Sequence, residues 1–170
     1  TKFASGRDKV GRIEAISVET GRTVFTYENR ASNYSPVLAT GGGLLFNGGM
    51  DRYLRALDAD NGQVLWGNAA SANGTANCSS PLEWRGHVFS ASGYGTGGAL
   101  VKLSGGRTGV TAALVYQTKD MKSHHGGMVI DGDHLYGTDE GVLKCLDVAT
   151  GQRRLLFSVA AAAQLPFACR

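Results

Sequence analysis

Residues 55–66 read RALDADNGQVLW, and the residue spacing inside this stretch occurs in two other places in the chain. A small residue is followed by an aspartate two positions later, a glycine six positions later and a large apolar residue ten positions later. The copies are Ala56, Asp58, Gly62, Trp66; Cys145, Asp147, Gly151, Leu155; and Ala15, Ser17, Gly21, Phe25, in which serine replaces the aspartate. They start 41 and 89 residues apart, so the sequence repeats with a period in the forties and predicts a fourth copy near residue 100.

Each copy predicts a β-hairpin. Apolar and polar residues alternate on both sides of a short polar turn, which is the period of half-buried strands. The turn glycine is expected to take a positive φ, and the aspartate before it is expected to hydrogen-bond to amides of the turn. We interpret these residues as structural, because every repeat needs its turn whereas a catalytic site is needed once.

A second pair of strands precedes each hairpin. Phe46, Phe89 and Tyr136 each lie three residues after a turn residue, and Pro36 and Pro81 each open a run that reads as a first strand. The predicted fourth copy is GALVKLSGGRTGVTAALVY, residues 98–116, with an enlarged glycine-rich turn and no aspartate. Four-stranded units of this length, in a chain with 25 glycines and no convincing helical periodicity, are typical of β-propeller blades.

The sequence therefore predicts an all-β fold, a partial β-propeller of about three and a half four-stranded blades of a larger ring. A partial blade is expected at residues 1–30, followed by blades at 31–69, 77–118 and 119–159 and an irregular C-terminal tail at 160–170. Residues 67–77, GNAASANGTAN, are interpreted as a loop between blades or as a seam. An unclosed propeller would expose strands at its ends, which indicates that the chain is part of a larger ring.

The motif at Ala56, Asp58, Gly62 and Trp66 resembles the tryptophan-docking repeat of the pyrroloquinoline quinone (PQQ) family of propellers. In that family the tryptophan stacks between adjacent blades. Residues 11–98 resemble, more closely, the C-terminal blades of PQQ-dependent alcohol dehydrogenases, through stretches such as SPVLATGGGLLFNGG and GYGTGG. From about Lys119 onward the chain is similar to the broader set of PQQ-like repeat proteins, many of which bind no cofactor.

The resemblance implies cofactors that this stretch of chain does not fully provide for. The dehydrogenases hold PQQ and calcium with side chains from earlier blades, cover the quinone with a disulfide between adjacent cysteines, and use an aspartate as catalytic base. Here Cys78, Cys145 and Cys169 are far apart, and no local cluster supplies the six to eight oxygens that calcium prefers. Tyr34 stands where the family has a tryptophan, so the resemblance makes it the candidate PQQ-face aromatic. We assign no catalytic residue and no metal ligand, and we expect PQQ and calcium only in a complete ring.

Composition limits the remaining classes of function. With 42% hydrophobic and 18% charged residues the chain is globular. Its net charge of +3 is small and its lysines and arginines are scattered, which gives no support for nucleic-acid binding. No apolar run reaches the length of a membrane span and no signal peptide is visible. The family resemblance implies a periplasmic or secreted location, and the odd number of cysteines leaves at least one thiol free unless it pairs between chains.

Two further clusters have ordinary explanations. His124 and His125 are adjacent, so in a strand they would point to opposite faces and could not easily hold one metal ion. A zinc site with help from His87, His134 and Cys145 is the weaker alternative to surface or turn histidines. The glycine-rich residues 93–98, GYGTGG, lack the lysine and the helix of a phosphate loop, which favours a turn or bulge.

Two function classes remain open. The favoured one is a noncatalytic binding and assembly scaffold, which is not an enzyme as it stands; its partner would be an unknown protein or the missing blades of the same ring. The alternative is a fragment of a PQQ-dependent alcohol or sugar dehydrogenase that transfers hydride to PQQ, with its active-site blades missing. Calcium ligands and a base in sequence upstream of this chain would favour the enzyme.

Overall fold

The computed structural model describes residues 8–75, 77–106, 109–125 and 127–157, and these residues form 14 β-strands and no helix. The first residues of the predicted partial blade and the predicted tail at 160–170 lie outside the described residues. The strands are β1 (Gly11–Ile16), β2 (Thr23–Asn29), β3 (Leu38–Ala39), β4 (Leu44–Gly48), β5 (Leu54–Asp58), β6 (Val64–Asn68), β7 (Leu82–Trp84), β8 (His87–Ser92), β9 (Gly97–Gly106), β10 (Gly109–Thr118), β11 (Met128–Asp131), β12 (His134–Asp139), β13 (Val142–Asp147) and β14 (Arg153–Phe157).

The strands form four antiparallel sheets, each built from consecutive strands. Sheet I contains β1 and β2, sheet II contains β3 to β6, sheet III contains β7 to β10, and sheet IV contains β11 to β14. Antiparallel four-stranded sheets that follow one another along the chain are the blades of a β-propeller. The predicted all-β, partial β-propeller fold is confirmed.

The repeated motif forms the last hairpin of each sheet. In three sheets its small residue and its large apolar residue are direct cross-strand partners: Ala15 with Phe25, Ala56 with Trp66, and Cys145 with Leu155. In sheet III, where the hairpin is enlarged, Leu100 pairs with Tyr116 at the corresponding place. The pairing register shifts beside every one of these pairs. A β-bulge at this position increases the local twist of the hairpin, so all four sheets bend in the same place.

The turn of the hairpin is held by the side chain that the repeat keeps as an acid or serine. Asp58 Oδ1 accepts hydrogen bonds from the amides of Asp60, at 2.8 Å, and Asn61, at 3.2 Å. Asp147 Oδ1 accepts one from the Thr150 amide at 3.0 Å. The turn glycines Gly21, Gly62 and Gly151 have φ of 67°, 73° and 70°, which glycine adopts without steric cost.

Each four-stranded sheet carries a docking row, which is a line of four paired residues on one face. The rows are Leu38, Phe46, Ala56 and Trp66 in sheet II; Leu82, Phe89, Leu100 and Tyr116 in sheet III; and Val129, Tyr136, Cys145 and Leu155 in sheet IV. The first row packs against Val88 and Val101 of sheet III. The second row packs against Leu135 and Leu146 of sheet IV. The hydrophobic core therefore lies between successive sheets.

At two places an aromatic ring of one sheet packs against the turn glycine of the next sheet. A Cβ on Gly62 would lie 2.4 Å from Cδ2 of Phe25, and a Cβ on Gly151 would lie 2.4 Å from Cε2 of Tyr116. The Tyr116 hydroxyl also donates a hydrogen bond to the Val148 carbonyl oxygen at 2.8 Å. Glycine is thus required at these turns for two reasons, since the backbone needs a positive φ and the ring needs the space.

Candidate functional site

A cavity of about 460 Å³ lies where the loops that connect the sheets meet the β4–β5 and β8–β9 turns. Five segments that are far apart in the sequence line it. The lining residues are Tyr34, Pro36, Met50, Asn73, Thr75, Cys78, Gly93, Tyr94, His124 and His125. A concave site with aromatic side chains and a few polar groups is the usual form of a small-molecule binding site.

The β8–β9 turn places one wall of the cavity. Tyr94 has a φ of 55°, which is uncommon for a residue with a side chain. Its ring lies 4.3 Å from that of His124 between centroids, in an edge-on arrangement. A Cβ on Gly93 would lie 2.9 Å from His124 Nδ1, so the glycine leaves room for the imidazole. Residues 93–98 are therefore part of a hairpin turn that supports a histidine.

The structure corrects the expectation for the adjacent histidines. His124 and His125 lie in the connection between β10 and β11, not in a strand, and both line the cavity. Their ring centroids are 4.0 Å apart and the ring planes are tilted by 36°. The opposite-face argument fails because it holds only for extended strand residues. Within the part of the chain that the structure describes, no group of three or more His, Cys, Asp or Glu residues could hold a metal ion.

Buried serine hydroxyls tie the cavity loops together. Ser71 and Ser90 share a hydrogen bond of 2.7 Å between their hydroxyls, and Ser92 donates to the Ser71 carbonyl at 2.5 Å. Ser79 donates to the Ser123 carbonyl oxygen at 2.9 Å. These bonds join the 69–81 connection to sheet III and to the loop that carries the histidines. Because buried polar groups are costly when unpaired, the network fixes the loop positions.

The loop that carries the histidines is also held by a buried ion-pair cluster that contains residues of sheet IV. The Lys144 ammonium pairs with Asp139 and, at 2.5 Å, with Asp120. Asp139 Oδ1 also accepts a hydrogen bond from the Lys122 amide at 3.0 Å. Burial alone would lower the pKa of Lys144, but the hydrogen bonds from its ammonium to Asp120 and Asp139 outweigh burial and raise it. The residues just before the histidines are thereby connected to strands β12 and β13.

The chemistry of the described lining is that of binding. Two tyrosines that are more than half exposed, Tyr34 and Tyr94, offer ring faces. Asn73 is buried, and its Oδ1 accepts a hydrogen bond from the Thr75 amide at 2.6 Å, so these two residues form an uncharged polar part of the lining. Cys78 is a free thiol, and burial raises its pKa, which keeps it in the less reactive thiol form at neutral pH. None of the described lining residues is a carboxylate. This lining fits a planar ring such as PQQ by stacking, but it lacks the acidic oxygens that calcium requires.

Sequence reasoning identified one of the two cavity tyrosines. Tyr34 lines the cavity, as does Pro36 from the same segment; its assignment as a PQQ-face residue stays a prediction. Met50, Asn73, Cys78 and Tyr94 were not identified, because the repeat marks the strands and turns of each blade and is silent about the loops between them. The glycines on either side of Tyr94 were the available signal, since they mark a tight turn that presents a side chain.

A second, more open concavity of about 730 Å³ is lined by the first strands of the three four-stranded sheets and their neighbours. Its lining is mainly apolar and contains Leu38, Ala39, Thr40, Gly41, Gly42, Leu44, Leu82, Glu83, Gly86, Leu103, Met128, Val129 and Ile130. It has one acidic residue, Glu83, and no histidine. In a propeller, sheets are arranged radially around a central channel, and this concavity lies along one strand edge of all three sheets.

Comparison with known proteins places the chain among PQQ-like repeat proteins. Residues 3–154 match the PQQ_2 family model, described as outer membrane protein assembly factor BamB. Quinoprotein ethanol dehydrogenase of Pseudomonas putida is 36% identical over 101 residues, which are 58% of this chain and 16% of that enzyme. Methanol dehydrogenase [cytochrome c] subunit 1 of Methylobacterium organophilum is 33% identical over 89 residues, 52% of this chain and 14% of that subunit.

Solved structures agree on the fold. The crystal structure of BamB from Moraxella catarrhalis superposes with a TM-score of 0.66 at 18% identity, covering 90% of this chain and 50% of that one. The computationally designed Ika8 protein superposes with a TM-score of 0.59 at 13% identity, covering 85% and 42%. The chain thus spans about one sixth of the dehydrogenases and half of BamB. No helix long and apolar enough to cross a membrane occurs among the residues that the structure describes.

Proposed function

Because the chain belongs to the PQQ_2 family of outer membrane protein assembly factor BamB, we propose that it is a noncatalytic binding and assembly scaffold made of PQQ-like propeller blades. The observation that carries the proposal is the composition of the cavity. Its described lining combines exposed aromatic rings, amide and hydroxyl groups with no carboxylate. Such a lining supplies stacking and hydrogen bonds to a bound molecule, and it offers no acid that could serve as the base of a quinoprotein dehydrogenase.

The repeat supports the same proposal. The acids of the motif, Asp58 and Asp147, are occupied by turn amides, so they stabilise hairpins. We propose that the partner is a protein or the remaining blades of the same ring. We also propose a periplasmic or secreted location, in line with the outer-membrane assembly factor named by the family and with the quinoprotein relatives.

A second candidate is a fragment of a PQQ-dependent dehydrogenase. Two observations favour it: the 36% identity to quinoprotein ethanol dehydrogenase, and the position of Tyr34 on the cavity wall. In a complete ring, Tyr34 and Tyr94 would stack on the quinone and the other blades would supply the calcium ligands and the base. PQQ would then accept hydride from an alcohol.

The two candidates separate in one titration. The purified chain is incubated with PQQ and Ca²⁺, and quenching of the tryptophan fluorescence is followed for binding. The scaffold proposal expects no saturable quenching by PQQ. Turnover does not separate the candidates, since under both of them the active-site blades are absent from this chain. Saturable PQQ binding that is lost in Tyr34→Ala, and kept in the surface variant Tyr53→Ala, would favour the dehydrogenase fragment instead.

A further inference from the structure

The edge strands of the four sheets differ in length and in charge. Each sheet has two edge strands, which are its first and its last strand in the chain. An edge can add a strand of another chain, and proteins prevent this with short edge strands, charges or proline. Every described edge strand but one has such a feature. β3, β6, β7 and β11 have five residues or fewer, and β1, β2 and β14 contain charged residues, among them Glu14, Glu28 and Arg154.

Strand β10 has none of these features. Its ten residues, GVTAALVYQT, include no charged residue and no proline, and within the described part of the chain it pairs only with β9. Leu114 and Val115 are 50% and 46% exposed, and they are the one pair of consecutive residues among the exposed large apolar side chains of the described residues. β10 is therefore the edge at which the molecule is most open to another strand.

The first half of β10 lies beyond the rest of its sheet. β9 continues past Lys102, where its pairing with β8 ends, and β10 pairs with this extension. Leu103 and Ala112, which are paired across the two strands, pack against the apolar cluster between sheets II and III. Thr111 and Ala113 lie on the other face, because side chains alternate along a strand, and both are exposed. The extension is thus held by one face, and the described residues leave its edge unpaired.

We propose that this edge binds the β10 strand of a second copy of the chain in an antiparallel, twofold-symmetric pair. The pairing uses residues 110–114, which keep a regular register with β9; the register shifts directly after them, and a bulge interrupts a ladder. When the twofold axis passes through the centre of this segment, Leu114 lies opposite Val110 of the second copy, and Thr111 lies opposite Ala113 of the second copy. Each contact then occurs twice, as a twofold axis requires.

The composition of the edge favours a second copy as its occupant. In a twofold pair the strand meets its own side chains, so any charge on it would lie near a like charge, which destabilises the pairing. A pair of β14 strands would bring Arg153 and Arg154 close to the same arginines of the second copy. β10 has no charge to repel its copy. The contact between Leu114 and Val110 would remove the exposed apolar surface of Leu114 from water.

Sedimentation velocity over a range of protein concentrations tests the pairing. We expect a reversible equilibrium between monomer and dimer with no larger species, because the twofold pair occupies the edge of both copies. Thr111→Lys and Ala113→Glu each add a charge to the exposed face and should weaken dimerisation about tenfold. Val24→Lys, at an exposed position of β2, is the matched control and should leave dimerisation unchanged. A chain that stays monomeric at every concentration, or that forms larger species, would overturn the proposal.

A double variant tests the antiparallel register. In chains that carry both Thr111→Lys and Ala113→Glu, each lysine lies opposite a glutamate of the second copy. Because opposite charges across strands stabilise pairing, the double variant should regain most of the affinity that either single variant loses. A double variant that dimerises no better than the single ones would contradict the proposed pair.

Amide hydrogen exchange locates the interface in the unsubstituted chain. Residues 110–114 should exchange several-fold more slowly at concentrations where the dimer forms than at those where the monomer prevails, because unpaired amides of the edge gain partners. Exchange in β14 should not depend on concentration. Slower exchange confined to another segment would show that the chain dimerises through a different surface, and the assignment to β10 would be wrong.

Discussion

Three turn glycines have the same backbone conformation but differ in what lies against them. Gly62 is covered by the Phe25 ring, whereas a Cβ on Gly21 would have nothing within 4 Å. Both have a positive φ, so alanine at either position costs about 1–2 kcal/mol of backbone strain.

Gly62→Ala should therefore cost more than Gly21→Ala. The added methyl must displace the Phe25 ring as well as strain the backbone, so we expect a loss of about 3 kcal/mol in the free energy of unfolding, against about 1 kcal/mol for Gly21→Ala. Urea denaturation of both variants measures the difference. Equal losses would mean that the ring does not depend on the glycine for its position.

The acid of the last motif gives the stability of the chain a pH dependence. The Arg154 hydrogen bond holds the pKa of the Asp147 carboxyl below its ordinary value, and bonds from Thr150 act in the same direction. Because the pKa is lowered in the folded state, the ionised carboxyl stabilises the fold at pH values above the unfolded-state pKa of about 4. This stabilisation is lost as the pH falls through the folded-state pKa. Asp147→Asn can still accept the Thr150 amide, so it isolates the charge.

We expect Asp147→Asn to be less stable than the parent at pH 7, and we expect this difference to shrink as the pH falls below about 4, as measured by thermal unfolding at a series of pH values. Arg154→Gln should raise the pKa of Asp147 toward its ordinary value, which NMR titration of the carboxyl would report. A stability difference that stays constant from pH 7 to pH 3 would assign the effect to the lost shape of the turn and not to the charge.

At the scale of elements, the strands and hairpins follow from the sequence far better than the cavity does. The offsets from Ala56 to Trp66 mark a cross-strand pair with a turn between its members, which is local chemistry. The cavity needs Tyr34, Tyr94 and His124 to meet across connections whose paths depend on the packing of whole sheets. The positive φ of Tyr94 and the nonextended backbone of His124 and His125 also have no periodic signal. Local patterns therefore predicted the blades. The family resemblance suggested Tyr34 as a site residue, whereas His124 and His125 were interpreted mainly as surface or turn histidines.

Substitutions in the ion-pair cluster test whether packing against sheet IV fixes the position of the histidine loop. Asp139 is nearly fully buried, so Lys144→Met leaves its charge without the ammonium and should cost about 3–5 kcal/mol. The double variant Lys144→Met with Asp139→Leu should recover part of this loss, because it removes the buried charge.

Amide hydrogen exchange locates the effect of these variants. We expect Lys144→Met to increase exchange in residues 119–125 more than in the β4–β5 hairpin, which has its own ion pair between Arg55 and Asp51. Arg55→Met is the matched control and should have its main effect near sheet II. A similar response of both regions to both variants would show that the two clusters are not local anchors.

At the scale of the whole molecule, the buried hydrophobic clusters of the described residues lie between sheets that are neighbours in the chain, one between sheets II and III and one between sheets III and IV. Stability in such an array is close to a sum of repeat and nearest-neighbour terms. Phe46 and Phe89 occupy the same place in successive docking rows and are both fully buried. Their truncation to alanine should cost about 3–5 kcal/mol each, but at different interfaces.

Phe89→Ala should therefore raise hydrogen exchange most in sheets III and IV, and Phe46→Ala most in sheets II and III. Sheet III shares both interfaces, so it should respond to both variants, while β13 should distinguish them. Exchange measured by mass spectrometry at a concentration where both variants remain folded provides the comparison. If each variant raises exchange equally in all four sheets, the chain unfolds as one cooperative unit and the nearest-neighbour description of its blades is wrong.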